Sequence, residues 1–112
     1  MSFITSNKSG VFIIIPNGRL DTNTSPEVEQ AVIDAVESGE TKMVFDFSKT
    51  EFISSAGLRV ILKAAKILKP KNGSVSLCNS NEQIDEVLEI SGFLTMIKCH
   101  DSIDAAISDF DS

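Results

Sequence analysis

The sequence predicts an α/β domain built on a mainly parallel sheet. Short runs of β-formers alternate with segments of helical periodicity from one end of the chain to the other. Capping residues, Gly and Pro bound those helical segments. No linker rich in Pro, Ser or Gly and no internal repeat interrupts the 112 residues, a length at which one domain is the default. Residues 1–112 therefore read as a single domain with the order β-β-α-β-α-β-α-β-α, giving four to five mainly parallel strands, an antiparallel edge strand and about four helices.

Residues 3–6 and 11–15 are strand candidates, and Asn7, Lys8, Ser9 and Gly10 between them are turn formers that predict an antiparallel hairpin. Pro16, Asn17 and Gly18 end the second strand. Thr24 or Ser25 caps the first helix with Pro26 at its first position, and Val28, Ala31, Val32, Ala35 and Val36 recur at helical spacing until Gly39. Residues 43–47 form an apolar run that suits a central strand. The next helix carries an apolar stripe of Leu58, Ile61, Leu62, Ala65 and Leu68, with Arg59, Lys63, Lys66 and Lys69 on the remainder, and Pro70 and Gly73 close it. Residues 74–78 read as a strand. Ser80, Asn81, Glu82 and Gln83 supply a capping box for a helix with Ile84, Val87, Leu88 and Ile90, which Gly92 ends. Residues 94–99 are the last strand candidate, and Asp101 or Ser102 caps a final helix containing Ile103, Ala106, Ile107 and Phe110.

Composition removes several functions. A net charge of −6 disfavours the basic surface that phosphate-backbone binding needs, so nucleic acid is not an expected partner. The longest apolar run, residues 11–15, is far short of the ~20 residues that cross a bilayer, and no secretory signal opens the chain, which places the protein in the cytoplasm and off the membrane. Cys78 and Cys99 have no C-x-x-C spacing and read as buried, reduced thiols. With His100 the only histidine, a multi-histidine metal site within one chain is ruled out. No phosphate-binding glycine loop occurs, so no nucleotide cofactor is implied.

The stretch that carries chemistry is "EFISSAGLRVIL", where two serines stand directly before a glycine and an amphipathic helix. Strand-to-helix junctions of parallel sheets gather ligands and reactive groups, because helix N-termini point N–H groups outward. One serine could simply cap the helix. A catalytic serine would want a histidine base and a G-x-S-x-G turn, but this stretch is I-S-S-A-G and nothing in the sequence brings His100 to it, so the chain is not read as an enzyme. The small Ala56 and Gly57 leave a hydroxyl open to another protein's active site, and a phosphate there would add roughly −1.5 to −2 charge at a helix N-terminus that offsets part of it. Asp21 and Asp46 suit turn or cap roles as well as functional ones. Arg59, Lys63 and Lys66 form either a solvated face or a cationic patch for an acidic partner.

The segment "MVFDFSKTEFISSAGLRVIL" resembles the signature of bacterial anti-sigma factor antagonists, the small single-domain members of the STAS superfamily, and "GRLDTNTSPEVEQAV" is similar to their passage from second strand to first helix. The family pattern is an apolar strand, a D-[ST]-[ST]-G junction and an amphipathic helix, and the hydroxyl after the aspartate is phosphorylated by the anti-sigma factor. By this resemblance Ser54 takes the aspartate's place, Ser55 falls on the phosphoacceptor, Ala56 on the second hydroxyl residue and Gly57 on the glycine, while Asp21 matches an acidic residue kept near the acceptor. The change to Ser54 removes a negative charge and offers the kinase a competing hydroxyl.

The resemblance implies a STAS-like fold, no cofactor, and a partner-switching function. The unmodified chain would bind an anti-sigma factor with serine kinase activity through Asp21, Ser54, Ser55, Ala56, Gly57, Arg59 and Lys63 and so free a sigma factor. Phosphorylation would end binding, a PP2C-type phosphatase would reset it, and the chain would be a monomer or weak dimer. The alternative is a STAS scaffold or ligand-binding regulatory domain acting in a partner-switching pathway outside sigma-factor control.

Overall fold

The structure, a computed structural model, describes residues 3–110; the outermost two residues at each end of the expected domain lie outside the described residues. Among these, a five-stranded sheet runs in the order β1-β2-β4-β6-β7, built from β1 (Phe3–Lys8), β2 (Val11–Pro16), β4 (Lys42–Asp46), β6 (Ser74–Cys78) and β7 (Cys99–His100). Only β1 is antiparallel; β2, β4, β6 and β7 are parallel neighbours. The hairpin is tighter than the sequence suggests. β1 continues through Asn7 and Lys8, and Ser9 and Gly10 alone make the turn, with φ of 55° and 79°. Positive φ at both central residues is the twist-matched two-residue turn.

Alternation along the strands gives the sheet two apolar faces. Ile14, Met43, Phe45, Val75 and Leu77 join the larger core cluster with α1 (Ser25–Glu37), α2 (Ser55–Leu68) and α3 (Glu82–Ile90). Val11, Ile13, Val44 and Cys78 join Ala106 and Ile107 of α4 (Ile103–Phe110) in a smaller one. Three helices thus cover one face and one covers the other.

A second, two-stranded parallel sheet pairs β3 (Gly18–Leu20) with β5 (Thr50–Ile53). Neither strand is legible in the sequence: Gly18 reads as a strand terminator, and residues 50–53 hold only a short apolar pair before the serines. The pairing is supported by a buried bond from Thr50 Oγ1 to Pro16 O at 2.6 Å and by Gly18 N to Lys49 O at 2.8 Å.

Three further expectations are corrected. Residues 94–99 do not form a strand. Phe93 and Ile97 are buried while Leu94 and Met96 are exposed, and Ile97 N bonds to Phe93 O, so the segment has the four-residue spacing of a helical turn and only Cys99–His100 pairs with β6. The cap of α3 is Asn81, whose Oδ1 accepts from Ile84 N at 2.8 Å, rather than Ser80. Ile90, expected on the apolar stripe, lies six residues after Ile84 and so off the face that buries Ile84 and Leu88, and is 79% exposed. Cys99, expected to be buried, is exposed because β7 is an edge strand, whereas Cys78 is buried and its thiol is pushed up to about 12, first by burial and then by the Asp46 charge.

The buried stripe of α2 consists of Gly57, Val60, Ile61, Ala64 and Leu68, with Leu58, Leu62 and Ala65 only partly buried. The correction reassigns the stabilising positions. Ile61→Ala should cost about 2–5 kcal/mol, and Leu62→Ala clearly less. Chemical denaturation of the two variants checks this ranking, and a larger loss at Leu62 would contradict the packing described.

Candidate functional site

The β3–β5 ladder sets the geometry of the serine junction. Leu20 is the register partner of Ile53, so Asp21 and Ser54 each stand one residue beyond the same end of the ladder. Ser54 N donates to Leu20 O at 3.0 Å. Gly57 is buried against these strands, and a Cβ there would lie 2.6 Å from Ile53 Cγ1 and 2.8 Å from Leu20 O. Only glycine permits this seating of the first turn of α2.

The two serines have different surroundings. Ser54 is the N-cap, extended at φ −101° and ψ 178°, and its Oγ accepts from Ala56 N at 3.2 Å and lies 3.4 Å from Leu20 O, to which it donates. Ser55 is the first residue of the helix, exposed, with no hydrogen bond to its side chain among the described residues. The first turn of α2 contains no acidic residue, so no carboxylate within that turn offsets the positive end of the helix at Ser55.

Asp21 is engaged by its own loop. Its Oδ1 accepts from Asn23 N at 2.9 Å and Thr24 N at 3.3 Å, and Oδ2 lies 3.5 Å from Arg19 Nε. The Asn23 bond chiefly, then Thr24 and Arg19, hold its pKa below the ordinary carboxylate value against the opposing effect of desolvation. Asp21 thereby fixes the start of α1: Ser25 N bonds to Asp21 O at 2.8 Å, and Thr24 Oγ1 donates to Arg19 O at 2.6 Å instead of capping the helix. Pro26 is the second helical residue rather than the first. Asp46 has a similar turn role, accepting from Ser48 N and Asn79 Nδ2 at 3.0 Å each.

Between α1 and α2 runs a groove of about 270 Å³ lined by Thr22, Ser25, Pro26, Glu29, Ala56, Arg59 and Val60. Arg59, Lys63 and Lys66 are exposed; Arg59 borders the groove, and Lys63 lies one turn farther along the same helix face. Arg19 stacks over the Phe52 ring at 4.7 Å, a pair created by the β3–β5 register. Arg19, Phe52 and Glu29 were not singled out by sequence and Ser25 only as a cap candidate: the Arg19–Phe52 pair depends on the unread strands, and Ser25 and Glu29 reach the groove through the packing of α1 beside α2. His100 lies elsewhere, in β7, with Nε2 3.4 Å from Asp109 Oδ2 of α4. The arrangement offers a capped helix start at which, among the described residues, the Ser55 hydroxyl has no partner that could act as a base and the neighbouring Arg59 and Lys63 have no ion pair.

Comparison with known proteins identifies the fold that carries this site. The STAS domain model matches residues 2–106. BtrV of Bordetella bronchiseptica, assigned by name as an anti-sigma factor antagonist, is 36% identical over 101 residues, covering 90% of this chain and 87% of its own. A Thermotoga maritima protein assigned to the same role superimposes with a TM-score of 0.93 at 25% identity, over 98% of this chain and 95% of its own. The fold is shared with the Bacillus protein SpoIIAA at 20% identity, in its unphosphorylated form (TM-score 0.86, 97% and 96% covered) and its phosphorylated form (TM-score 0.76, 96% and 98% covered).

Two expectations follow from the site. Ser54→Ala should lose about 1 kcal/mol of stability through the missing cap, while Ser55→Ala should melt close to the unsubstituted chain; equal losses would mean that the cap is misassigned. Asp21 has a depressed folded-state pKa, so the stability it contributes is present above the unfolded value and lost as pH falls through the folded one. The slope of stability against pH in the acid range should therefore be shallower in Asp21→Asn, which denaturant midpoints measured across that range would reveal.

Proposed function

The chain belongs to the STAS domain family, and on that premise we propose that it is an anti-sigma factor antagonist controlled by phosphorylation of Ser55. The observation that carries this reading is the division between the serines: Ser54 is consumed as the cap, and Ser55 is free and exposed at the first position of α2. The name of the BtrV relative supports the partner class, and SpoIIAA, a likeness of fold alone, has been solved in both unphosphorylated and phosphorylated forms.

In this reading the unmodified chain docks on a kinase-type anti-sigma factor through Ser55, Ala56, Arg59 and Lys63, positioned by Asp21, Ser54 and Gly57, and so frees the sigma factor. Ser55 Oγ attacks the γ-phosphorus of ATP held by the partner, ADP departs, and the hydroxyl proton passes to a base of the kinase. The chain is the substrate of that step and supplies no catalyst. Charge placed in the fitted interface then brings repulsion and desolvation without refolding. A phosphatase restores the binding form.

Ser55→Asp should fold normally but bind the kinase-type partner at least ~30-fold more weakly, since an unpaired charge buried at an interface costs about 2 kcal/mol or more. Ser55→Ala should retain affinity and resist phosphorylation. Calorimetric titration of both, with phosphopeptide sequencing of the kinase-treated chain, provides the test. Undiminished binding by folded Ser55→Asp would rule out the mechanism, and phosphate found only on Ser54 would reassign the acceptor.

A further inference from the structure

The groove beside Ser55 is lined by a buried hydroxyl that no protein group satisfies. Ser25 is 6% exposed and its Oγ has no hydrogen-bond partner among the described residues, although it lines the groove together with Ala56 and Arg59. Buried hydroxyls are ordinarily paired, because an unmade bond leaves desolvation uncompensated. Arg59 is a second open donor, exposed and without an ion pair among the described residues. It stands four residues after Ser55 on the same helix face, and helical side chains lean toward the N-terminus, so its guanidinium is within reach of the turn that Ser55 begins. The start of α2 has no acidic residue to occupy these donors.

We propose that this groove receives the phosphoryl group once Ser55 is modified, with Arg59 as its charged donor and the Ser25 hydroxyl as a second. The inference rests on the reading of Ser55 as phosphoacceptor. A phosphoserine carries about −1.5 to −2 charge with a second pKa near ~6, and its three oxygens match the planar fork of an arginine. Phosphorylation then acts twice: it adds charge to the docking surface, and it withdraws Arg59 from that surface by pairing it within the chain. Glu29, on the opposite wall of the groove, opposes the phosphate and gives the site a feature with the contrary sign.

The test reads the phosphate directly. The full chain is made with phosphoserine installed at position 55 during synthesis, and its second ionisation is followed by phosphorus NMR in the unsubstituted chain and in Arg59→Gln, Ser25→Ala, Glu29→Gln and Lys63→Gln, with melting curves confirming that each folds. Arg59 favours the dianion, so Arg59→Gln should raise the phosphate pKa by a few tenths of a unit. Ser25→Ala should raise it by less, Glu29→Gln should lower it, and Lys63→Gln, the same loss of charge one turn away, should leave it nearly fixed. Equal shifts in Arg59→Gln and Lys63→Gln, or an unmoved titration in Arg59→Gln or Ser25→Ala, overturn the proposal. Kinase treatment of the ordinary chain followed by intact-mass measurement tests the phosphoacceptor separately, and the titration stands whichever way that result falls.

Discussion

The close approach of the first turn of α2 to the end of the β3–β5 ladder is the constraint on which the site depends. It rests on the 3.0 Å bond from Ser54 N to Leu20 O and on the missing side chain at Gly57, where a Cβ would collide with Ile53 and Leu20. Glycine near a helix start carries a propensity cost of up to about 1 kcal/mol relative to alanine, but here any larger residue would lift the helix off the strands. With the turn seated, Asp21 and Ser54 leave adjacent strand ends, Ser55 faces outward, and α1 and α2 are held close enough to form a groove between them. Displacing the turn would separate all of these together.

Within that constraint the neutral cap matters. The family pattern named from sequence has an aspartate where this chain has Ser54. An aspartate would satisfy the same amide but leave a carboxylate against the acceptor, partly cancelling the positive end of the helix. Ser54 caps through a hydroxyl, and the nearby Asp21 carboxylate is drawn into bonds with Asn23, Thr24 and Arg19. The first turn of α2 therefore carries no carboxylate of its own, and Arg59 has no ion pair among the described residues.

Much of this was legible in the sequence where a periodic pattern extended over many residues. The four helices, the hairpin and the parallel central strands follow from apolar spacing and caps, and the junction was marked by two hydroxyls before a glycine. The failures lie where tertiary packing overrides local pattern. β3 and β5 are three and four residues long, too short to show alternation, and each is a strand only because the other is beside it. Residues 94–99 have strand-like composition, yet Phe93 and Ile97 are buried one helical turn apart. Which serine caps could not be read from residue types at all, since both can; backbone geometry at Ser54 decides it. The Ser25 groove likewise arises from two helices distant in sequence.

The same architecture is suited to the proposed modification, which would alter binding without altering the fold. Ser55 lies at the outer end of a helix whose buried stripe, from Gly57 to Leu68, faces the other way. The second core, beneath α4, is on the opposite side of the sheet. A charge at the first helical position meets the helix N-terminus, an interaction of about 0.3–1 kcal/mol in its favour, and touches neither core. An interface closed over the same position has no such dipole of its own to offer, and the penalty for trapping the charge there is several times larger. In the proposed mechanism, the difference in magnitude between these two terms is what would let a single exposed hydroxyl act as a switch without refolding.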